Sequence, residues 1–243
     1  LRYFSKIIVH NEKMKNYLIG QGINENKLEI LGIFDYLLSE ELDKKRRGLH
    51  EPVIIAGNLS MEKAAYIRQL ETISADFNLY GIGCKDVFAD NIRYFGSFLA
   101  EQLPHVLKGS FGLVWDGDSV DICSGIFGRY MLYNNPHKIS MFLACGFPVI
   151  IWSKAALADF VIKNQVGFVI DHVWEIPNKI AKMTAKYLTA DKLIYLNAST
   201  TISQLCPCLK DLNATVMTNS IDNASALLAQ CDLIRRLFNE IRP

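Results

Sequence analysis

An excess of charge of either sign is what this sequence lacks first. Lysine and arginine number 26 against 25 aspartates and glutamates, a net charge of +1 over 243 residues, so there is no electrostatic case for nucleic acid as a partner. Long apolar runs are also missing. The longest, residues 139–152, is interrupted by Gly146 and Pro148 and is too short to span a bilayer. No secretory signal opens the chain and its first residue is Leu1, so we expect a piece cut from something longer, placed in the cytoplasm or peripherally at the inner face of the membrane. The six cysteines, at 84, 123, 145, 206, 208 and 231, include no pair with the C-x-x-C spacing of a zinc knuckle or redox motif. They read as reduced core or surface thiols. The lone C-x-C of Cys206 and Cys208 is weak evidence for metal, and no metal is expected. Repeats and low-complexity tracts are absent.

What is present is a chain that is 50% hydrophobic, enough for a sizeable core in one large domain or two small ones. Residues 6–10 read as a short strand, and Asn11 is placed to cap a helix with Met14, Tyr17 and Leu18 on one face. Gly20 and Gly22 end that helix, and residues 28–33 form a second strand. A charged stretch with Lys44, Lys45, Arg46 and Arg47 in a run reads as a solvated connection. From Pro52 onward, short apolar runs alternate with amphipathic segments, the pattern of a mostly parallel sheet covered on both faces. Its strands are expected at residues 53–56, 78–80, 92–94, 111–115, 149–152 and 167–170. Helices are expected at 175–188 and 191–205. Leu227, Leu228, Leu233, Ile234 and Leu237 suggest an amphipathic terminal helix for the core, a further domain or a membrane surface.

Ligands in such sheets sit beyond the carboxyl ends of strands, which directs attention to five loops, those starting at Gly57, Gly81, Gly96, Asp116 and Ser153. Around residues 134–161, Asn135 is suited to cap a helix with Pro136 at its first position; Gly146 ends it and Pro148 stops continuation. Two readings fit. One is an ordinary helix and strand with a solvated lysine. The other joins the free N–H groups of the first turn, the helix dipole and the Lys138 ammonium into an anion site suited to a diphosphate. A second helix is expected from Ala155. Gly57, Asn58, Ser60 and Lys63 offer either a turn with a capping serine or another phosphate contact. Asp116, Asp118 and Asp121 cluster past a buried strand, either as sugar contacts or as satisfied Asx-turn carboxylates. Phe98 reads as core or as a platform for a nucleobase, and Ser153 and Lys154 point toward the same crevice.

The segment Asn134-Asn135-Pro136-His137-Lys138, with Ala144, Gly146, Pro148 and Val149, resembles the nucleotide-sugar-binding segment of GT-B glycosyltransferases. Met141 stands where many members carry a ribose-binding glutamate, so that contact comes from elsewhere or is missing. Together with residues 146–160, the segment is similar to bacterial transferases that glucosylate serine-rich adhesins and to their galactofuranosyltransferase relatives. The similarity runs over roughly residues 1–200. It implies an α/β fold, a GT-B-type C-terminal Rossmann-like domain with a remnant of the N-terminal domain: residues 1–48 closing the N-terminal side, 49–190 binding the nucleotide-sugar, and 191–243 a helical tail. It further implies a hexosyltransferase using a UDP-sugar as substrate, with no separate cofactor, and a glycan or glycosylated protein as acceptor. Gly57, Asn58, Lys63, Phe98, Asp116, Gly117, Asp118, Asn134, Asn135, His137, Lys138, Ser153 and Lys154 would line the donor site. No general base is identifiable, since in such enzymes it comes from the N-terminal domain. The residues leave three matters open: self-association, a binding module without catalysis, and a regulatory module on the same sheet.

Overall fold

The computed structural model describes residues 4–36, 38, 42, 50–84 and 88–182. The charged run at 44–47 and everything expected beyond Lys182 lie outside these residues. Two parallel sheets form. In the small one, β1 (Ile7–Val9) pairs with β2 (Leu28–Ile30) around α1 (Glu12–Gly20). Asn11 caps α1 as expected, its Oδ1 accepting the Met14 N–H at 3.0 Å.

The large sheet holds β3 (Val53–Asn58), β4 (Phe77–Ile82), β5 (Ile92–Tyr94), β6 (Gly112–Val114), β7 (Val149–Trp152) and β8 (Gly167–Ile170). Its six strands run parallel in the order β5-β4-β3-β6-β7-β8. The chain therefore builds outward from β3 in one direction and from β6 in the other. Right-handed crossovers in the two directions place the connecting helices on opposite faces and open a crevice where β3 meets β6. Those connections carry α2 (Met61–Ala64) with a 3-10 turn at Ala65–Thr72, α3 (Leu103–Val106), α4 (Gly125–Tyr130), α5 (His137–Ala144) and α6 (Ala158–Asn164); a 3-10 turn at Val173–Glu175 then leads into α7 (Ile176–Lys182). Among the described residues no helix is long and apolar enough to cross a membrane.

The strands are continuous apolar runs because both faces are covered: β7 is buried at all four positions, and Phe111, Trp115, Phe142 and Phe147 are fully buried around it. Helix α5 lies against β6 because Gly112 has no side chain. A Cβ there would sit 2.3 Å from the Phe142 ring. The end of α5 follows the expected pattern: Gly146 takes φ +74°, its N–H reaches Leu143 O at 3.0 Å, and Phe147 N–H reaches Phe142 O at 2.8 Å.

Three local expectations are corrected. Pro136, not Asn135, occupies the cap position of α5; the Asn135 side chain is turned away to the small sheet. Its Nδ2 donates to His10 O at 2.9 Å and Gly32 O at 2.8 Å, while its Oδ1 accepts from Asn11 Nδ2 at 2.6 Å. Ser60 stands at the cap position of α2 but makes no side-chain cap; its own N–H donates to Asn58 Oδ1 at 2.9 Å. The helix expected from Ala155 begins at Ala158, after a turn closed by the Ala155 N–H on Trp152 O at 3.0 Å.

Candidate functional site

The crevice between β3 and β6 opens into a cavity of about 370 Å³. Strand β3 reaches it through Gly57 and Asn58, and β6 delivers Asp116 two residues past its end. Asp116 is only 5% exposed. A carboxylate this buried needs partners, and among the described residues two lysines serve it. Lys138 Nζ, from the first turn of α5, lies 2.8 Å from Asp116 Oδ1 and donates to Trp115 O at 3.1 Å. Lys63 Nζ, from α2, lies 3.9 Å from Asp116 Oδ2 and 5.5 Å from the Phe127 ring centroid. Two ammonium groups on one carboxylate leave a positive charge in excess, and the start of α5 adds its unspent N–H groups. The wall so built suits a compact anion.

The opposite wall comes from the small sheet. His10 follows β1, and its Nδ1 accepts the Asn135 N–H at 3.1 Å. Burial lowers the pKa of His10. Phe34 packs edge-on to His10, with centroids 5.0 Å apart, and to His137 at 5.7 Å. His137 Nε2 lies 3.1 Å from Asp35 O. Asn134 also lines the cavity, and its Oδ1 is buried without a hydrogen-bond partner among the described residues. Such an orphaned acceptor calls for a donor from elsewhere.

Residues 53–203 match the model of the family described as "Glucosyltransferase 3-like, C-terminal domain". The chain belongs to this family. A second model, "DeoR C terminal sensor domain", matches residues 175–235, most of which lie outside the described residues. The glucosyltransferase 3-like chain is 42% identical over 185 residues to the beta-1,6-galactofuranosyltransferase WbbI of Escherichia coli (strain K12), covering 73% of this chain and 53% of that protein. It is 26% identical over 190 residues to Glucosyltransferase 3 of Streptococcus gordonii, covering 74% and 52%. The chain thus spans about half the length of the curated relatives it matches. Among solved structures it is similar to AviGT4, a glycosyltransferase involved in avilamycin A biosynthesis, with TM-score 0.51 and 14% identity over 78% of this chain and 57% of that one. This likeness concerns the fold, and the GT-B-type Rossmann-like architecture expected from the sequence is the one observed.

Of the thirteen residues expected in the donor site of this glucosyltransferase 3-like chain, Gly57, Asn58, Lys63, Asp116, Asn134, Asn135, His137 and Lys138 come together around the cavity. Asn135 does so as a strut, 2% exposed and spent on the small sheet. The others are placed elsewhere. Gly117 ties its loop to α2, donating to Lys63 O at 2.7 Å, and Asp118 pairs with the Ser124 hydroxyl. Asp121 accepts from Trp174 Nε1 at 3.0 Å, so the three carboxylates past β6 diverge. Phe98 packs at 6.2 Å from Tyr80 away from the cavity wall. Ser153 bonds the Asp171 carboxylate across the ends of β7 and β8, and Lys154 is exposed beside it. His10 and Phe34 were missed. His10 stands at the carboxyl end of a strand, so the rule used for the large sheet, applied to the small one, would have found it.

Beyond β8, Glu175 stabilises the following turn: its Oε1 accepts from His172 N at 3.0 Å and Asp171 N at 3.1 Å, and its Oε2 lies 3.0 Å from Lys179 Nζ. Burial alone would raise its pKa, but the Lys179 pair and the two N–H donors outweigh that and lower it. A depressed carboxylate pKa contributes stability above the unfolded value and loses it as pH falls through the folded one. Protection of the Asp171 and His172 amides, exchange corrected for its intrinsic pH dependence, is therefore expected to hold steady from neutral pH down to about 4.5 and to fall below it. Glu175→Gln should flatten this acid response, measured by pH-resolved hydrogen exchange. An unchanged response in the variant would assign it to another group.

Proposed function

We propose that this chain is the donor-binding part of a hexosyltransferase that passes a sugar from UDP to a hydroxyl of a glycan or glycosylated protein. One observation carries the reading: Lys138, Lys63 and the start of α5 converge on a cavity at the crevice between β3 and β6, with Asp116 holding the lysines in place. In sugar transfer from a nucleotide diphosphate, negative charge builds on the departing β-phosphate as the anomeric bond breaks. Fixed positive groups aimed at that charge lower the barrier, and they cost no reorganisation at the moment of reaction. The lysines and the helix start supply that potential, so the UDP-sugar is the substrate and no separate cofactor enters the step. Asn134, with its orphaned Oδ1, is placed to take a sugar hydroxyl. The identity to WbbI exceeds that to Glucosyltransferase 3, which makes galactofuranose the first donor sugar to test and glucose the second.

The test is calorimetric titration of the chain with UDP and ADP, followed by transfer assays on the complete protein with UDP-galactofuranose and UDP-glucose. Saturable UDP binding at least about tenfold tighter than ADP binding is expected. A folded chain and a complete protein that bind neither nucleotide would sink the donor-site reading.

A further inference from the structure

We propose that His10 is itself a donor-binding residue, its Nε2–H donating a hydrogen bond to the β-phosphate of the nucleotide diphosphate seated at the start of α5. The proposal rests on the donor-site reading above and adds a contact from the small sheet to one otherwise built on the large sheet.

The tautomer follows from the backbone. The Asn135 N–H can only donate, so the His10 Nδ1 that receives it at 3.1 Å carries no proton, and in the neutral ring the hydrogen sits on Nε2. Burial, which lowers the His10 pKa, favours the same neutral form. Among the described residues Nε2 has no partner, although the ring lines the cavity. Its orientation is fixed from three sides. Nδ1 is held by Asn135 N, the His10 carbonyl is held by Asn135 Nδ2 at 2.9 Å, and the ring meets Phe34 edge-on at an interplanar angle of 80°.

The anchor of the ring also tells where the free donor lies. Asn135 N immediately precedes Pro136, the cap of α5, so the imidazole is anchored beside the helix start and lines the same cavity as Lys63 and Lys138. A diphosphate there meets Lys63 and Lys138 already half-neutralised by Asp116, and a further fixed donor meets an oxygen that the lysines leave unserved. Nothing else about the reaction needs His10 to be charged. A neutral donor held in place is the form that binds phosphate without adding a titration to the step.

The experiment is titration of wild type, His10→Asn and His10→Gln with UDP and with UMP. Asparagine can keep an oxygen near the Asn135 N–H but has no group where Nε2 stood, whereas glutamine extends an amide N–H toward that position. For His10→Asn, UDP affinity is expected to fall about tenfold and UMP affinity to change less than about twofold, with His10→Gln keeping most of the UDP affinity. Equal losses for UDP and UMP would overturn the proposal, since they would mean that His10 only seats the helix start; wild-type UDP affinity in His10→Asn would overturn it as well. Should the variants not fold, nitrogen NMR of histidine-labelled wild type decides. The His10 Nε2 resonance is expected to move with UDP and stay with UMP, and the same movement with both rejects the contact. A wild type that binds neither nucleotide fails at the donor-site reading instead.

Discussion

Gly81→Ala is expected to cost the folded state more than about 4 kcal/mol, beyond the usual range for a single surface-accessible substitution. Gly81 pairs with Gly57 across the β3–β4 ladder and takes φ +154°. A Cβ at that position would lie 1.7 Å from Gly57 O and 2.8 Å from Gly57 C. Both are backbone atoms in a continuous parallel ladder, so relief requires separating the strands where they pair. Gly81 is held from its other side as well: its N–H reaches Gly96 O at 2.9 Å, and Tyr94 OH donates to its carbonyl at 2.8 Å. Because Gly57 lines the cavity, whatever fraction of the variant folds should also bind nucleotide more weakly. Thermal unfolding followed by circular dichroism checks the first effect and calorimetry the second. A wild-type midpoint would mean that the two strands do not approach so closely in solution.

Lys138→Ala carries the second large effect, and it strikes stability and binding together. Removing the ammonium leaves the Asp116 carboxylate, 5% exposed, with Lys63 at 3.9 Å as its remaining charged neighbour. Truncating one partner of a buried pair costs about 3 kcal/mol, much of it the penalty for the charge left behind. Binding of a nucleotide diphosphate should weaken about 100-fold, as expected for losing a charge-assisted contact at the anion itself. The two effects separate in the double variant. Adding Asp116→Asn removes the stranded charge, so stability should recover by a good part while binding does not. Asp116→Asn alone leaves both lysines unneutralised and should keep or strengthen UDP binding. If Asp116→Asn instead abolished binding of the UDP-sugar and spared UDP, the carboxylate would be a sugar contact, as one reading of the sequence has it.

Much of the large sheet was legible because burial on both faces writes each strand as an apolar run. β5, β7 and β8 fall on the expected residues, and β3 and β4 run past theirs only at their ends. At the carboxyl ends the overruns are Gly57, Asn58, Gly81 and Ile82, which go on pairing past the apolar runs, while Phe77 extends β4 by one residue at its start. The Lys138 helix start was legible for a similar local reason: Pro136, Gly146 and Pro148 punctuate it. What local pattern cannot carry is which of several polar side chains finds a competing neighbour. Asp118 and Ser153 both follow strands, as donor-site residues should, yet Ser124 and Asp171 engage them first. Asn135 looks like a cap, and its amide is drawn instead to carbonyls more than a hundred positions earlier in the chain, at His10 and Gly32. Asp116 reads in the sequence as either a sugar contact or a satisfied turn carboxylate, and its burial against two lysines becomes visible only when α2 and α5 are brought to the same strand end.

Asn11 holds both ends of that long-range link. One atom of its side chain caps α1, while the other donates to Tyr133 O at 2.8 Å and to Asn135 Oδ1 at 2.6 Å. Helix α1 is nine residues long and buries none of them, too short to persist in water by itself. Its cap is oriented by partners 122 and 124 residues downstream. During synthesis the amino-terminal strand and helix leave the ribosome long before the residues that fasten them. Strand β1 and helix α1, made before those residues, thus have their final place decided late, after β3 to β6 and the approach to α5 exist.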